Sequence, residues 1–267
     1  MSKIRMVIVF AALALGGHSF YSWALGQPEV LPAKLVVGMD NMTPVLVAGA
    51  KVRTADAIDT QVVEVLASTL GISVELTQNN EVAQDDELTK NKVDLWLGMA
   101  DLEAAVMPNR ISIPLGYVVK PMAIMRNDTD ISQWPQLLGR TVCVSQNSHY
   151  VGWTNSRYGA IERVYPTPAD ALLALRTGEC DALVHDDVLL NELLRLPEWK
   201  KFSAHMLADF SRQLRWQVAV DQPELAQRLQ QLVHVWKKQA LWPALNQRRA
   251  RDIAFEVYLD QVVTDCH

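Results

Sequence analysis

Apolar residues fall into two alternating patterns along the chain. Continuous apolar runs predict buried strands at 34–40 (KLVVGMD), 72–76, 92–99 (KVDLWLGM), 141–145, 161–165, 181–184 and 215–220. Between them, apolar positions recur every three or four residues. Ile58, Val62, Val63, Val65, Leu66 and Leu70 predict a helix, with Asp59 near its start and Gly71 at its stop. Thr167, Pro168, Asp170 and Gly178 supply an N-cap hydroxyl, a proline at the first turn, an acid at the third position and a glycine stop. Residues 189–196 predict a helix closed near Pro197. Asp221 and Glu224 open another that runs to about Lys238, and residues 250–262 read as a last amphipathic helix.

Strands alternating with helices, in two successive sets, predict an α/β fold of two lobes, each a mostly parallel sheet flanked by helices. In such sheets ligands bind beyond the carboxyl ends of the strands. Three places meet that description: Asp40 after the first strand, Met99 to Asp101 after another, and His185, Asp186 and Asp187 after the apolar run ALV (182–184).

The N-terminus adds a cellular context. Lys3 and Arg5 precede the apolar run 6–17, and Ser22-Trp23-Ala24 offers small residues two positions apart. This is the layout of a secretory signal peptide over residues 1–24, which predicts a periplasmic protein; an uncleaved anchor is the alternative. The formal charge is −5, and removing residues 1–24 takes away two cations and no acid. That balance argues against nucleic acid as a partner. Export permits a disulfide among Cys143, Cys180 and Cys266. Cys143 lies in the apolar run TVCV and fits a small buried residue, which leaves 180–266 as the favoured pairing. No cysteine spacing suits a zinc site.

Six segments in order carry a family resemblance: LVVGMD (35–40), AIDTQVVEVLASTLGISVEL (57–76), KVDLWLGM (92–99), MAIMRNDTDISQWPQLLGRTVCVSQNS (122–148), TPADALLALRTGECDALVHD (167–186) and WQVAVDQPELAQRLQQLVHVW (216–236). Together they resemble the family 3 periplasmic solute-binding proteins, which mostly serve amino-acid ABC importers. The resemblance implies two lobes joined by two strands, at about 34–120 plus 217–267 and about 126–212. They would close on a small-molecule ligand, as a monomer, with no cofactor and no catalysis.

The resemblance also implies a site. Asp40 and Asp186 match the acids that hold a ligand's ammonium, and Ser148 matches a hydroxyl that helps hold its carboxylate. Ala100 and Asp101 occupy the loop that carries further polar contacts, although Ala100, Leu102 and Ala104 replace the usual hydroxyls. The family's carboxylate-binding arginine lies ten residues before a tyrosine; ten residues before Tyr117 stands Met107, and Arg110 is three positions out of register. A cationic or neutral ligand therefore enters beside an amino acid. Asp40 and Asp186 also suit helix caps, His185 suits either ligand or packing, and Tyr150 and Trp153 suit either cleft wall or core.

Three functions follow. The first is a solute-binding protein delivering a small polar ligand to a membrane permease. The second is an accessory or sensory protein of this fold that binds a periplasmic protein partner, as in solute-binding-like proteins associated with dehydrogenases. The third, an enzyme using His185 and Asp186 as an acid/base pair, lacks a nucleophile, metal or phosphate loop to support it.

Overall fold

A computed structural model describes residues 33–39, 53–54, 58–78, 93–104 and 108–261. Asp40, Met107, Cys266 and the signal-peptide segment 1–24 lie outside these residues.

The first sheet contains β1 (Lys34–Met39), β2 (Ser73–Gln78), β3 (Leu95–Asp101), β4 (Arg110–Val119) and β10 (Arg212–Ala219), in the order β2-β1-β3-β10-β4. The second contains β5 (Pro121–Met125), β6 (Thr141–Ser145), β7 (Ile161–Tyr165), β8 (Ala182–Asp186) and β9 (Ala204–Leu207), in the order β7-β6-β8-β5-β9. In each sheet four strands run the same way and one, β10 or β5, runs against them, so two parallel pairings are followed by two antiparallel ones. The sheets are thus mixed, and the strands on either side of each crossing, β4 and β5, β9 and β10, are the ones joined into their sheets by antiparallel pairings. Lys120 alone separates β4 from β5, and residues 208–211 join β9 to β10. The two crossings touch, with Ala208 N–H donating to the Pro121 carbonyl at 2.9 Å.

Both lobes pin their central strand by the same device. Asp94, one residue before β3, accepts the Val36 N–H at 2.7 Å and returns its own N–H to the Val36 carbonyl at 2.9 Å. Asp181, one residue before β8, does the same for Thr141 at 2.8 and 2.9 Å. Each aspartate satisfies a strand-end donor that would otherwise be left over where two parallel strands start out of step. The acid in KVDL and its counterpart in ECDA are therefore framework residues, at the strand ends remote from the cleft.

The helices follow from their apolar stripes and caps. α1 (Asp59–Leu70) buries Val62, Val63 and Leu66 and stops at Gly71 in the left-handed region. α2 (Trp153–Tyr158) is one short turn-and-a-half. α3 (Pro168–Thr177) starts as its sequence predicts: Thr167 Oγ1 accepts the Asp170 N–H at 3.2 Å, and Gly178 at φ 82° ends it. α4 (Asp187–Leu194) and α5 (Pro223–Lys238) follow.

α6 (Leu241–Asp260) is longer than the 250–262 expected from its pattern. Its first turn belongs to the first sheet: Trp242 Nε1–H donates to the Leu115 carbonyl at 3.0 Å, and the Trp242 and Tyr117 rings lie 5.2 Å apart. Its second half buries Ala250, Ile253, Ala254 and Val257 in one cluster with α3 and α4 of the second lobe. Glu256 accepts from the Thr54 N–H and hydroxyl, both at 2.7 Å, and Arg53 pairs with Asp260 and with Asp170. One helix thus grips both lobes.

β4 and β5 were not evident as strands in the sequence. Pro114 and Gly116 interrupt the apolar pattern of β4, which tolerates them because it is the sheet's edge and bulges there against Gln213 and Arg215. The disulfide also corrects the sequence expectation. Cys143 of β6 bonds Cys180, with Cα atoms 5.8 Å apart. β6 and β8 are parallel neighbours, so the residue two positions before β8 falls against β6, and Cys143 is paired rather than a lone buried thiol.

Gly38 sits face-on to the Trp96 ring, where a Cβ would fall inside the indole. Gly38→Ala is expected to cost at least about 1–3 kcal/mol through overpacking, read as a lowered urea midpoint. Replacing Cys143 and Cys180 together by alanine is expected to cost about 2–5 kcal/mol, read in the same assay, while Cys266→Ala leaves the midpoint unchanged.

Candidate functional site

The carboxyl ends of β1, β3, β6 and β8 point to the junction of the lobes, and among the described residues two spaces lie there. The inner one is lined by Ile58, Asp59, Met99, Tyr117, Ser148 and Asp186, among others, and holds only about 10 Å³ of free volume. That is room for one water at most. The outer one is an open cleft of about 890 Å³. The first lobe contributes Asp101, Leu102, Glu103 and Ala104 to it. The second contributes His149, Tyr150, Trp153 and Arg157, and the return crossing contributes Asp209, Phe210, Ser211 and Arg212.

The expected site residues divide between these spaces. Ser148 and Asp186 meet at the inner one. Asp101 faces the outer cleft, and Ala100 is half-buried in β3 opposite Gln213. Asp40 lies outside the described residues. Arg110 is far away: it pairs across β4 and β10 with Ala219, seven residues along β10 from Arg212, or roughly 23 Å at the rise of a strand. It is buried there and bonds Gln217.

The inner space is filled by the chain's own polar groups. Tyr150 donates its hydroxyl to the Asp186 carboxylate at 2.7 Å. The Asp186 side chain makes no capping bond to α4, so its partner is the phenol. Ser148 Oγ accepts the Tyr150 N–H at 3.2 Å, which holds the turn that delivers the ring. Behind this pair, Tyr117 donates to Asn246 of α6 at 3.3 Å. His185 is buried, and its Nδ1 accepts the Asp186 N–H at 2.6 Å.

Burial, and after it the Asp186 charge, pushes the pKa of both Tyr117 and Tyr150 well above that of a free phenol. Nearby cations oppose the shift without cancelling it: Arg249 at Tyr117 and Arg212 at Tyr150. Asp187 is also raised, chiefly by burial, against the pull of hydrogen bonds from the Lys120 and Val188 backbone.

The outer cleft is different in kind. Trp153 is boxed by the rings of Trp134 (5.0 Å), Phe210 (5.5 Å), Tyr158 (5.6 Å) and Tyr150 (6.2 Å). It is both core and wall. Facing it are acids, Asp101, Glu103 and Asp209, and the cations Arg157 and Arg212. Arg212 was missed in the sequence. Its signal was there: it continues the buried face of β10 set by Leu214, Trp216 and Val218, where a charge needs a reason. Among the described residues no group of three or more His, Cys, Asp or Glu side chains gathers as a metal ion requires.

No family model and no curated protein sequence matches the chain. Solved structures do. A mutant of ArgBP from T. maritima is 18% identical over 81% of this chain and 94% of that chain, with a TM-score of 0.52. The substrate-binding protein of an amino acid ABC transporter is 18% identical over 80% and 98%, with a TM-score of 0.51. The GluR0 ligand-binding core in complex with L-glutamate is 16% identical over 81% and 98%, with a TM-score of 0.52. The chain has the two-lobed fold of the periplasmic binding proteins.

The two phenols set an alkaline limit. An unfolded tyrosine ionises near pH 10, whereas these two keep their protons in the folded state, so their contribution is full below pH 10 and is lost as pH rises beyond it. Stability measured by denaturant titration is expected to fall above pH 10, and Tyr117→Phe and Tyr150→Phe each to flatten that fall.

Proposed function

We propose that this protein is an exported, non-catalytic binding protein that takes a small polar molecule into the cleft between its lobes and presents it to a membrane permease. The observation that carries the reading is the 890 Å³ cleft, which sits where strand ends of both sheets meet and offers charges of both signs beside a rigid aromatic wall. Residues 101–104 of one lobe and His149, Tyr150 and Trp153 of the other line it, so a ligand would touch both at once.

Export is supported by the disulfide, which suits an oxidising compartment, and by the signal-like residues 1–24. No helix among the described residues is long and apolar enough to cross a membrane. Delivery to an importer is favoured by the likeness to the substrate-binding protein of an amino acid ABC transporter. Of the expected contacts, Asp101 keeps its role in this reading. Ser148 and Asp186 act as the floor under the cleft through Tyr150, which lines it.

A second reading, an accessory or sensory protein that binds a protein partner, is favoured by the inner space, which the chain fills with its own phenol and carboxylate.

Thermal melts of the protein lacking residues 1–24, against a panel of amino acids, amines, polyamines, organic acids and sugars, separate the two. A ligand at 100 times its Kd should add about 2.7 kcal/mol of stability. A folded protein that shifts with no panel member would sink the solute-binding reading and leave the accessory one.

A further inference from the structure

The outer cleft holds a cation that suits a ligand's acid group. Arg212, the first residue of β10, lies directly across the β3–β10 pair from Asp101. Its Nη2–H donates to the Met99 carbonyl at 3.2 Å, and its Nε stands 3.5 Å from an Asp101 carboxylate oxygen. That carboxylate is 73% exposed, so the pair is a screened surface contact of at most about 1 kcal/mol. Nε is buried and makes no hydrogen bond within the protein. A guanidinium carries five N–H donors in a planar fork, and Arg212 spends one of them. With Nε buried, the remaining Nη hydrogens are the ones that match a carboxylate, which binds a guanidinium at closer range than Asp101 does.

The opposite wall is equally prepared. Trp153 is fixed by four neighbouring rings before any ligand arrives, so stacking on it costs little side-chain ordering. Arg157, the other cation, is exposed and lies 5.9 Å over the Tyr158 ring. Asp209 and Glu103 on the rim complement a positive group. The inner acid, Asp186, is already engaged by Tyr150.

We propose that Arg212 binds the carboxylate of a small amphoteric ligand whose flat apolar part lies against Trp153 and whose ammonium group meets Asp101 and Asp209. This rests on the binding-protein reading and names its ligand class. It replaces the missing clamp from the segment before Tyr117 with an arginine from the return crossing, at the other side of β3. The ligand then sits in the outer cleft rather than on Asp186.

Calorimetric titration of the disulfide-intact protein with L-tryptophan, tryptamine and indole-3-propionate tests each part. L-tryptophan should bind most tightly. Arg212→Gln should weaken L-tryptophan and indole-3-propionate by about tenfold or more, the loss of one charged contact, and leave tryptamine unchanged. Arg212→Lys should restore only part of the loss, since it returns the charge but not the fork. Trp153→Leu should weaken all three. Thermal melts of each variant check the fold; if Arg212→Gln does not fold, the ratio of L-tryptophan to tryptamine affinity in Arg212→Lys decides. Equal binding of L-tryptophan by wild type and Arg212→Gln overturns the assignment. So does binding of other panel members by a protein that ignores all three indoles, an outcome that leaves the binding-protein reading standing. No binding by any panel member overturns both.

Discussion

Lys120 is the single residue on which one lobe hands the chain to the other, and Asp187 holds it from both sides. The Asp187 carboxylate accepts the Lys120 N–H at 2.8 Å, and the Asp187 N–H donates to the Lys120 carbonyl at 2.9 Å. A strand crossing between two sheets has no ladder partner at the crossing point, so its backbone groups must be satisfied by something else. Here the first residue of α4 does it. The end of β8 is thereby fixed beside β4, which sets Asp186 against Tyr117 and Tyr150 and defines how much room is left between the lobes. The return crossing is drawn alongside through Ala208 and Pro121, and it carries Arg212 to the cleft.

Much of this frame is legible in the sequence, for physical reasons. Strands buried on both faces read as unbroken apolar runs, as in LVVGM and ALV, and helices with full caps, as at Thr167 and Gly178, announce both ends. The order of the motifs yields two lobes. What escaped is where local signals conflict with tertiary placement. Pro114, Gly116 and Pro121 punctuate β4 and β5, whose strand state depends on distant partners in β10 and β9, such as Ala219 for Arg110 and Ala204 for Met125. α6 is preceded by Ala240 in the left-handed region and carries Pro243 in its first turn, so its start reads as loop. The disulfide depended on knowing that β6 and β8 are neighbours.

The placement of the expected site residues was partly legible. The strand ends and the family resemblance pointed to Asp186, Ser148 and Asp101, and each lies at the lobe junction. Position could not say that Tyr150 would reach Asp186, because that contact spans 36 residues and depends on the turn held by Ser148. Nor could it say which arginine faces the cleft. Arg110 was nearer in sequence to the expected register, yet it sits at the remote end of the sheet, while Arg212 arrives from a strand running the other way. Antiparallel pairing brings distant sequence to the same edge, and pattern reading along one strand does not see it.

α6 changes the thermodynamics of capture. Hinged binders with free lobes spend part of a ligand's binding energy on shifting an open population to a closed one, and their apparent affinity drops by the fraction that is competent beforehand. Here Trp242 is seated on β4 of one lobe, Ile253 and Val257 are buried in the other, and Arg53 and Thr54 are fastened to Asp260 and Glu256. Opening on that side would have to unpack a helix. In the binding role proposed above, a helix fastened to both lobes would keep the conformational tax on a ligand small. In that role the same brace would favour exchange by side-chain and loop motion at the cleft mouth, which is faster than domain rotation.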